Sequence, residues 1–295
     1  MELGIAIPHT GHSASPDHMR AVCLRAEELG FARLWAVDHA VIPQRTMSPY
    51  LLGRKPTSMA AGAIADELTP NFEQLTTLAW VAGFTERIGL GTAVTVLTNR
   101  PAVLTARQLA TIDRHSGGRL AVGVGVGWVR EEAEIIGMPW PQRGRRAEEQ
   151  IALMRRLWTA TDEFVDFHGE FYDLPPMLSE PLPVQRPIPL YVGGHTRPAL
   201  ERAGRLADGW VAAPMSASRV AECRDTVRQA ATRAGRDPLS VKIVACATPN
   251  DDDRTALVAS YAKAGADHLQ LRLAADPVAV LVELEYFARI AERFR

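Results

Sequence analysis

The stretch Arg87–Trp128, RIGLGTAVTVLTNRPAVLTARQLATIDRHSGGRLAVGVGVGW, reads as a strand, a helix and a second strand. Ile88 to Leu97 is rich in Val, Leu and Thr, the composition of a buried strand. Pro101 then stands where a helix can open at no cost, because the first helical N–H has no partner to lose. Val103, Leu104, Leu109 and Ile112 follow at helical spacing, and Gly117-Gly118 ends the run. Arg119 to Val126 is again continuously apolar, as expected of a strand covered on both faces. Strand, crossover helix and parallel strand is the repeating unit of α/β folds.

The same alternation extends both ways. Leu3 to Pro8 reads as a strand, Asp17 to Leu29 as a helix, and Arg33 to Val37 as a strand ending at Asp38-His39. Asn71 to Thr85 forms the helix that leads into the central stretch. A short helix over Arg130–Gly137 and a long one over Arg143–Thr159 come after it. Strands at Ile188–Val192, Gly209–Ala213, Val241–Ala247 and Asp267–Leu273 alternate with helices ending at Leu206, Ala234, Ala264 and Phe294. Eight such units in 295 residues predict an α/β fold of the (β/α)₈ barrel type, one domain over residues 1–295. An open doubly wound sheet competes, but GVGVGW places Trp128 where the third glycine of G-x-G-x-x-G belongs. Two excursions interrupt the pattern. Residues 40–70 hold Pro43, Pro49, Pro56 and Pro70 and read either as a lid or as a surface excursion packed on the rim. Residues 162–187 carry Pro175, Pro176, Pro181 and Pro183.

Composition narrows the class. With 33 basic and 34 acidic residues the net charge is −1, so no global field favours nucleic acid or a membrane surface. No apolar run approaches the ~18 residues a membrane span needs. The opening MELGIAIPHT has no basic region or cleavage site. Cys23, Cys223 and Cys246 lie far apart, which disfavours a disulfide framework or metal site and suits a reducing cytoplasm.

In a barrel of this kind chemistry sits at the C-terminal ends of the strands. Those ends supply His9; Asp38 and His39; Thr95, Thr98 and Asn99; Gly125, Gly127 and Trp128; Gly193, Gly194, His195 and Thr196; and Pro214, Met215, Thr248 and Arg272. His39 can exchange a proton near neutral pH, or be an ordinary loop residue with Asp38 capping the next turn. His9 either touches a substrate or is a solvated rim residue. Gly193 to Thr196 closes a strand and opens a helix whose free N–H groups favour a phosphate, although an ordinary turn and cap have the same pattern. Arg130-Glu131-Glu132 reads as a solvated helix face, and Gly204, Asp208 and Gly209 as turn residues. No P-loop, H-E-x-x-H or G-x-S-x-G motif is present.

The ordered blocks LGIAIPH, LGFARLWAVDH, TERIGLGTAVTVL, RQLATIDRHSGGRLAVGVGVGW, GEFYDL, PIPLYVGGHT and ADGW resemble the bacterial-luciferase-like oxidoreductases. Within them the likeness is to the actinobacterial branch that uses the deazaflavin coenzyme F420. That resemblance implies a (β/α)₈ barrel, usually a homodimer, with the cofactor ring in the barrel mouth. It implies a catalytic His39 beside Asp38, and a non-prolyl cis peptide at Ala93-Val94 propping the ring. Thr95 and Gly125 would help to hold the ring, and Gly193, Gly194, His195 and Thr196 the phosphate. His9 and Trp128 would face the substrate, and no metal is implied. Two departures stand out. Trp128 occupies the place where dehydrogenase relatives carry an acid, and Pro43 the place of a tryptophan. Together with Tyr50, Leu51, Leu52 and Met59, Trp128 suggests an apolar pocket rather than a sugar-phosphate site. The implied activity is hydride transfer between F420 and a small apolar or carbonyl-bearing molecule. The alternatives are an FMN-dependent two-component monooxygenase, since a ring nitrogen at position five permits oxygen chemistry, and a non-catalytic cofactor-binding protein.

Overall fold

Eight parallel strands close into a barrel in the order β1-β10-β9-β8-β7-β4-β3-β2. This is a computed structural model that describes residues 1–44, 46, 48, 68–161, 164–249 and 253–294. The barrel strands are β1 Glu2–Ala6, β2 Arg33–Ala36, β3 Gly89–Val96, β4 Leu120–Gly125, β7 Leu190–Gly193, β8 Gly209–Val211, β9 Lys242–Ala247 and β10 His268–Leu271. Around them lie α1 Pro16–Glu28, α2 Gln74–Ala82, α3 Ala102–His115, α4 Arg130–Ile135, α5 Arg143–Trp158, α6 Arg197–Leu206, α7 Ala217–Arg233, α8 Arg254–Lys263 and α9 Pro277–Ala291. The expected (β/α)₈ barrel is therefore what forms. No helix among the described residues is long and apolar enough to cross a membrane.

Local chemistry accounts for the element ends. Ser15 accepts from His18 N, and Asp253 and Asp276 each accept from two backbone N–H groups, so all three cap the helices that follow. Gly117 and Gly118 have φ of +68° and +86°, the left-handed conformation that lets the chain leave α3. Pro101 itself takes the cap position, so α3 begins one residue later than its proline suggests. Strands run a residue or two short of their apolar runs, although Ala212 N past β8 and Arg272 N past β10 still donate to Val244 O and Ala247 O of the next strand.

The excursion after α5 holds a hairpin that the sequence pattern did not disclose, β5 Val165–His168 with β6 Asp173–Met177. Pro175 and Pro176 hide it, yet proline is tolerated on the free edge of so small a sheet. Glu149 of α5 ties down its turn by accepting from Phe171 N and Tyr172 N. Asp113, fully buried in α3, receives the backbone N–H of Gln185 at 2.9 Å and its side-chain amide at 2.7 Å. For the excursion 40–70, residues 45, 47 and 49–67 lie outside the described residues, and with them the lid expectation and Tyr50, Leu51, Leu52 and Met59. Its described flanks are tied to the rim by Asn71 Nδ2, which donates to His39 O at 2.8 Å, and by Gly11 N, which donates to Pro70 O at 2.9 Å.

Inside the barrel, Trp35, Ala121, Tyr191, Val211 and Val244 pack as one layer and plug the lumen. Above this plug the side chains shrink. The Ala93-Val94 peptide is cis, and the β3–β4 register shifts between Thr92 and Thr95. Val94 projects between two strands that carry glycine: a Cβ on Gly125 or on Gly193 would lie 2.6 Å from a Val94 methyl. Both glycines thus make room for Val94 while lining the space above it.

Gly123, lower on β4, is tighter still. Its added Cβ would sit 2.2 Å from Thr92 O, a backbone atom that cannot swing away. Gly123→Ala is expected to cost about 1–3 kcal/mol through overpacking, read as a fall in the thermal unfolding midpoint.

Candidate active site

Above Val94 the barrel mouth opens into a cavity of about 690 Å³. That volume is in the range of small-molecule and cofactor sites. His39 lines it from the end of β2 and Trp128 from the end of β4, their rings edge to face with centroids 6.1 Å apart. Glu132 Oε2, on α4, lies 3.3 Å from His39 Nδ1. A carboxylate only accepts, so Nδ1 carries the proton and Nε2 is the ring's acceptor nitrogen. The second oxygen, Glu132 Oε1, accepts from Ala40 N, which fixes the chain immediately after the histidine. Glu132 is 3% exposed. The expectation of a solvated Arg130-Glu131-Glu132 face is corrected here, because α4 turns this carboxylate inward. Glu131 is also engaged, accepting from Thr46 Oγ1 at 3.0 Å and Ser48 Oγ at 2.8 Å.

Asp38 does not serve His39. Asp38 Oδ2 accepts from Val96 N at 2.8 Å and Arg100 Nε at 3.2 Å, and Oδ1 accepts from Arg100 Nη2 at 2.6 Å. This buried bidentate pair joins the end of β2 to the end of β3 and so sets the spacing of the rim. Asp38 thus holds the rim through Arg100 and Val96 N, and the carboxylate that meets His39 is Glu132, not the Asp38 beside it in sequence. Thr95 also departs from expectation. It is fully buried and donates from Oγ1 to Gln74 Oε1 at 2.8 Å, while Gln74 Nε2 donates to Ala36 O at 2.8 Å. Its side chain therefore ties β3 to α2 and is not among the residues lining the cavity.

His9 is 1% exposed, not a rim residue, and does not line the cavity. Nδ1 faces Ile7 O at 3.0 Å and Nε2 faces Val37 O at 3.1 Å. A neutral ring can donate to only one of them at a time. Burial holds its pKa below the usual histidine value despite both carbonyls.

The far end of the cavity is built from Gly193, Gly194, His195 and Thr196. Gly194 has φ of +112°, and its carbonyl accepts from Trp210 Nε1 at 2.7 Å, so the fully buried indole clamps the turn. Thr196 takes the N-cap position of α6, but its hydroxyl makes no capping bond. Arg143, at the start of α5, lines the same cavity and stacks 4.0 Å over Trp140. Its Nε is buried without a hydrogen-bond partner among the described residues, and burial lowers its pKa with no acid beside it to compensate. A free hydroxyl, free helix N–H groups and an uncompensated guanidinium are the donor set an oxyanion requires. Among the described residues no cluster of His, Cys, Asp and Glu could hold a metal ion.

Asp38, His39, Trp128, Ala93, Val94, Gly125 and the Gly193–Thr196 turn, all singled out in the sequence, line one cavity. Sequence reasoning missed Glu132, Arg143 and Gln270, which also line it. Glu132 had a legible signal: four positions after the strand-end Trp128, it is the third residue of a short helix and so stands in the first turn, close to the rim. Nothing in residue order marks Gln270 apart from the alternation of β10, which turns Leu269 and Leu271 outward.

The family described as luciferase-like monooxygenase matches residues 1–280, and the chain belongs to it. An uncharacterized protein of Mycobacterium tuberculosis is 34% identical over 186 residues, 63% of this chain and 62% of its own length. A phthiodiolone/phenolphthiodiolone dimycocerosates ketoreductase of Mycobacterium bovis is 32% identical over 240 residues, 78% of this chain and 60% of that protein. The match thus spans less than two thirds of the length of these curated relatives. Among solved structures, an F420-dependent secondary alcohol dehydrogenase in complex with an F420-acetone adduct superposes with a TM-score of 0.81 at 17% identity, covering 100% of this chain and 99% of that one. A long-chain alkane monooxygenase superposes at 0.78 and 13% identity, covering 99% and 91%. At such identities the likeness is one of fold.

Two measurements check the reassigned residues. Asp38→Asn removes one of the two carboxylates on Arg100, the other being Glu73 Oε1 at 2.9 Å, and is expected to lower the unfolding free energy by about 1–3 kcal/mol, read by chemical denaturation. For His9, a folded-state pKa below the ordinary 6.5 means that the unfolded chain binds the extra proton first as pH falls. Stability is therefore whole above about pH 6.5 and erodes below it. In a pH series of denaturation curves, His9→Asn is expected to flatten that acid slope, leaving the part contributed by His268, whose pKa burial also lowers.

Proposed function

We propose that this chain is an oxidoreductase that moves a hydride between a flavin-type cofactor and a small organic carbonyl or alcohol, with F420 as the cofactor. The observation that carries it is a single cavity of about 690 Å³ joining the His39–Glu132 pair, the Val94 bulge and the Gly193–Thr196 turn. These residues fit a ring with an anionic tail. Val94, held between Gly125 and Gly193, offers a flat apolar support. The Thr196 hydroxyl, the first free N–H groups of α6 and Arg143 would hold a phosphate.

When bound, F420 supplies a carbon centre that donates or accepts a hydride. The protein's part is proton control and positioning. Oxidation of an alcohol to a carbonyl releases the hydroxyl proton as the hydride departs, and reduction takes one up. His39 Nε2 is the group placed to exchange it, because Nδ1 is committed to Glu132. Glu132 orients the ring and stabilises the imidazolium that forms, while Trp128 and Trp140 cover the cavity's flank with apolar surface. FMN is the second reading. It is favoured by the family's description as luciferase-like monooxygenase and by the structural likeness to a long-chain alkane monooxygenase. A homodimer in the cytoplasm belongs to the same proposal.

The test is a titration of the purified chain with oxidised F420, reduced F420 and FMN, followed by cofactor fluorescence. Binding of F420 supports the proposal, tight FMN binding with reductase-dependent oxygen uptake selects the monooxygenase, and binding of neither removes both. His39→Ala is expected to lower kcat by roughly 10²–10⁴-fold with cofactor Kd unchanged; unaltered turnover would leave a cofactor-binding protein. Glu132→Gln, which keeps the shape but removes the charge, is expected to shift the pH profile of kcat.

A further inference from the structure

The wall of the cavity formed by β9 and β10 carries polar groups that the proposal above leaves idle. Gln270 on β10 pairs in register with Cys246 on β9, and both side chains line the cavity. Gln270 is 2% exposed, and its amide has no hydrogen-bond partner among the described residues. Buried side-chain amides are ordinarily hydrogen-bonded, so an open one in a pocket wall is a site in want of a partner. Two residues on, Arg272 lines the same wall, its backbone N–H donating to Ala247 O at 2.8 Å. The alternation of a strand puts residues i and i+2 on one face, so amide and guanidinium approach the cavity together.

Among the described residues no acid pairs with this guanidinium. Asp38 is taken by Arg100, Glu131 by Thr46 and Ser48, and Glu132 by His39 and Ala40. The neighbouring Cys246 thiol is pushed up to about 11 by burial, so it adds no negative charge near neutral pH. Strand order sets β10 two places from β2, whose end carries His39, and three places from β7, whose end carries the phosphate turn. The wall therefore stands closer in the strand order to the proton-exchanging group than to the cofactor's anionic end.

We infer that Gln270 and Arg272 form a substrate subsite for a carboxylate. One oxygen accepts from the amide Nε2 and the other from the guanidinium, a planar acceptor meeting two planar donors. The substrate class is then a small oxo acid, or the corresponding hydroxy acid, whose carbonyl or hydroxyl reaches His39 while its carboxylate is held on β10. This inference rests on the proposed function for the reaction, but not for the binding step.

The test uses the full chain without cofactor, with 2-oxobutanoate and its uncharged analogue butanone as probes in calorimetric titrations. The wild type is expected to bind 2-oxobutanoate roughly tenfold or more tightly than butanone, the scale of a charge-assisted hydrogen bond. Arg272→Met and Gln270→Leu are each expected to shrink that preference several-fold, and Gln270→Glu to abolish it by repulsion. Circular dichroism and unfolding midpoints are measured alongside; a variant that does not fold is replaced by the more conservative Arg272→Lys or Gln270→Met. No preference in the wild type, or a preference intact in the folded variants, overturns the subsite. Parallel titrations with F420, FMN and inorganic phosphate separate the two proposals. If Arg272→Met loses phosphate and cofactor rather than 2-oxobutanoate, Arg272 serves the cofactor and the subsite is wrong. If neither cofactor binds the wild type while the carboxylate preference and its dependence on Arg272 persist, the cofactor reading fails and the subsite stands.

Discussion

The structure turns on a change in side-chain size along the barrel lumen. Trp35, Tyr191, Val211 and Val244 fill the lumen lower down, where the strands are covered on both faces and close packing is obligatory. One layer higher the strands present Gly125 and Gly193, and Val94 reaches between them. A barrel whose upper layer matched the lower one would be a solid core with no room for a ligand. Because the residues that empty the mouth also seat Val94, the cavity and its apolar support have one cause.

The rim around that cavity is organised by carboxylates, each with its own partners. Asp38 grips Arg100 and Val96 N and fixes the distance between β2 and β3. Glu132 grips His39 and Ala40 N and fixes the ring. Neighbours in sequence, Asp38 and His39 therefore meet different partners. Glu131 and Glu132, likewise adjacent, divide between the chain past His39 and His39 itself. With its acids so engaged, the cavity keeps a cationic surplus in Arg143 and Arg272. Cofactor phosphate and substrate carboxylate would each find one pole of it.

This division explains how a fold shared by alcohol dehydrogenation and alkane oxygenation can serve both. In the proposed function the barrel would supply position: a support at Val94, an anion turn at Gly194 and a proton-exchanging group at His39. Which electron carrier sits there, and which substrate, is decided by side chains on the strand ends that the fold itself leaves free.

The barrel, the order of its strands and the glycine-lined mouth were legible in residue order, because they follow from short-range regularities. Apolar runs bounded by turn residues specify strands, 3.6-residue spacing specifies helices, and eight alternations leave few ways to close. His39 and the Gly193–Thr196 turn were legible for the same reason, as they sit at strand ends by construction. The proline-containing hairpin at Val165–Met177 was not, since its ladder forms on a free edge where local propensity is a poor guide. Nor were the partners: Asp38 with Arg100, Glu132 with His39, Thr95 with Gln74 and, among the described residues, none for Gln270. Those pairings join residues tens of positions apart, and no local pattern names the partner that an acid will meet. Only closing the barrel brings α4 against the end of β2 and decides it.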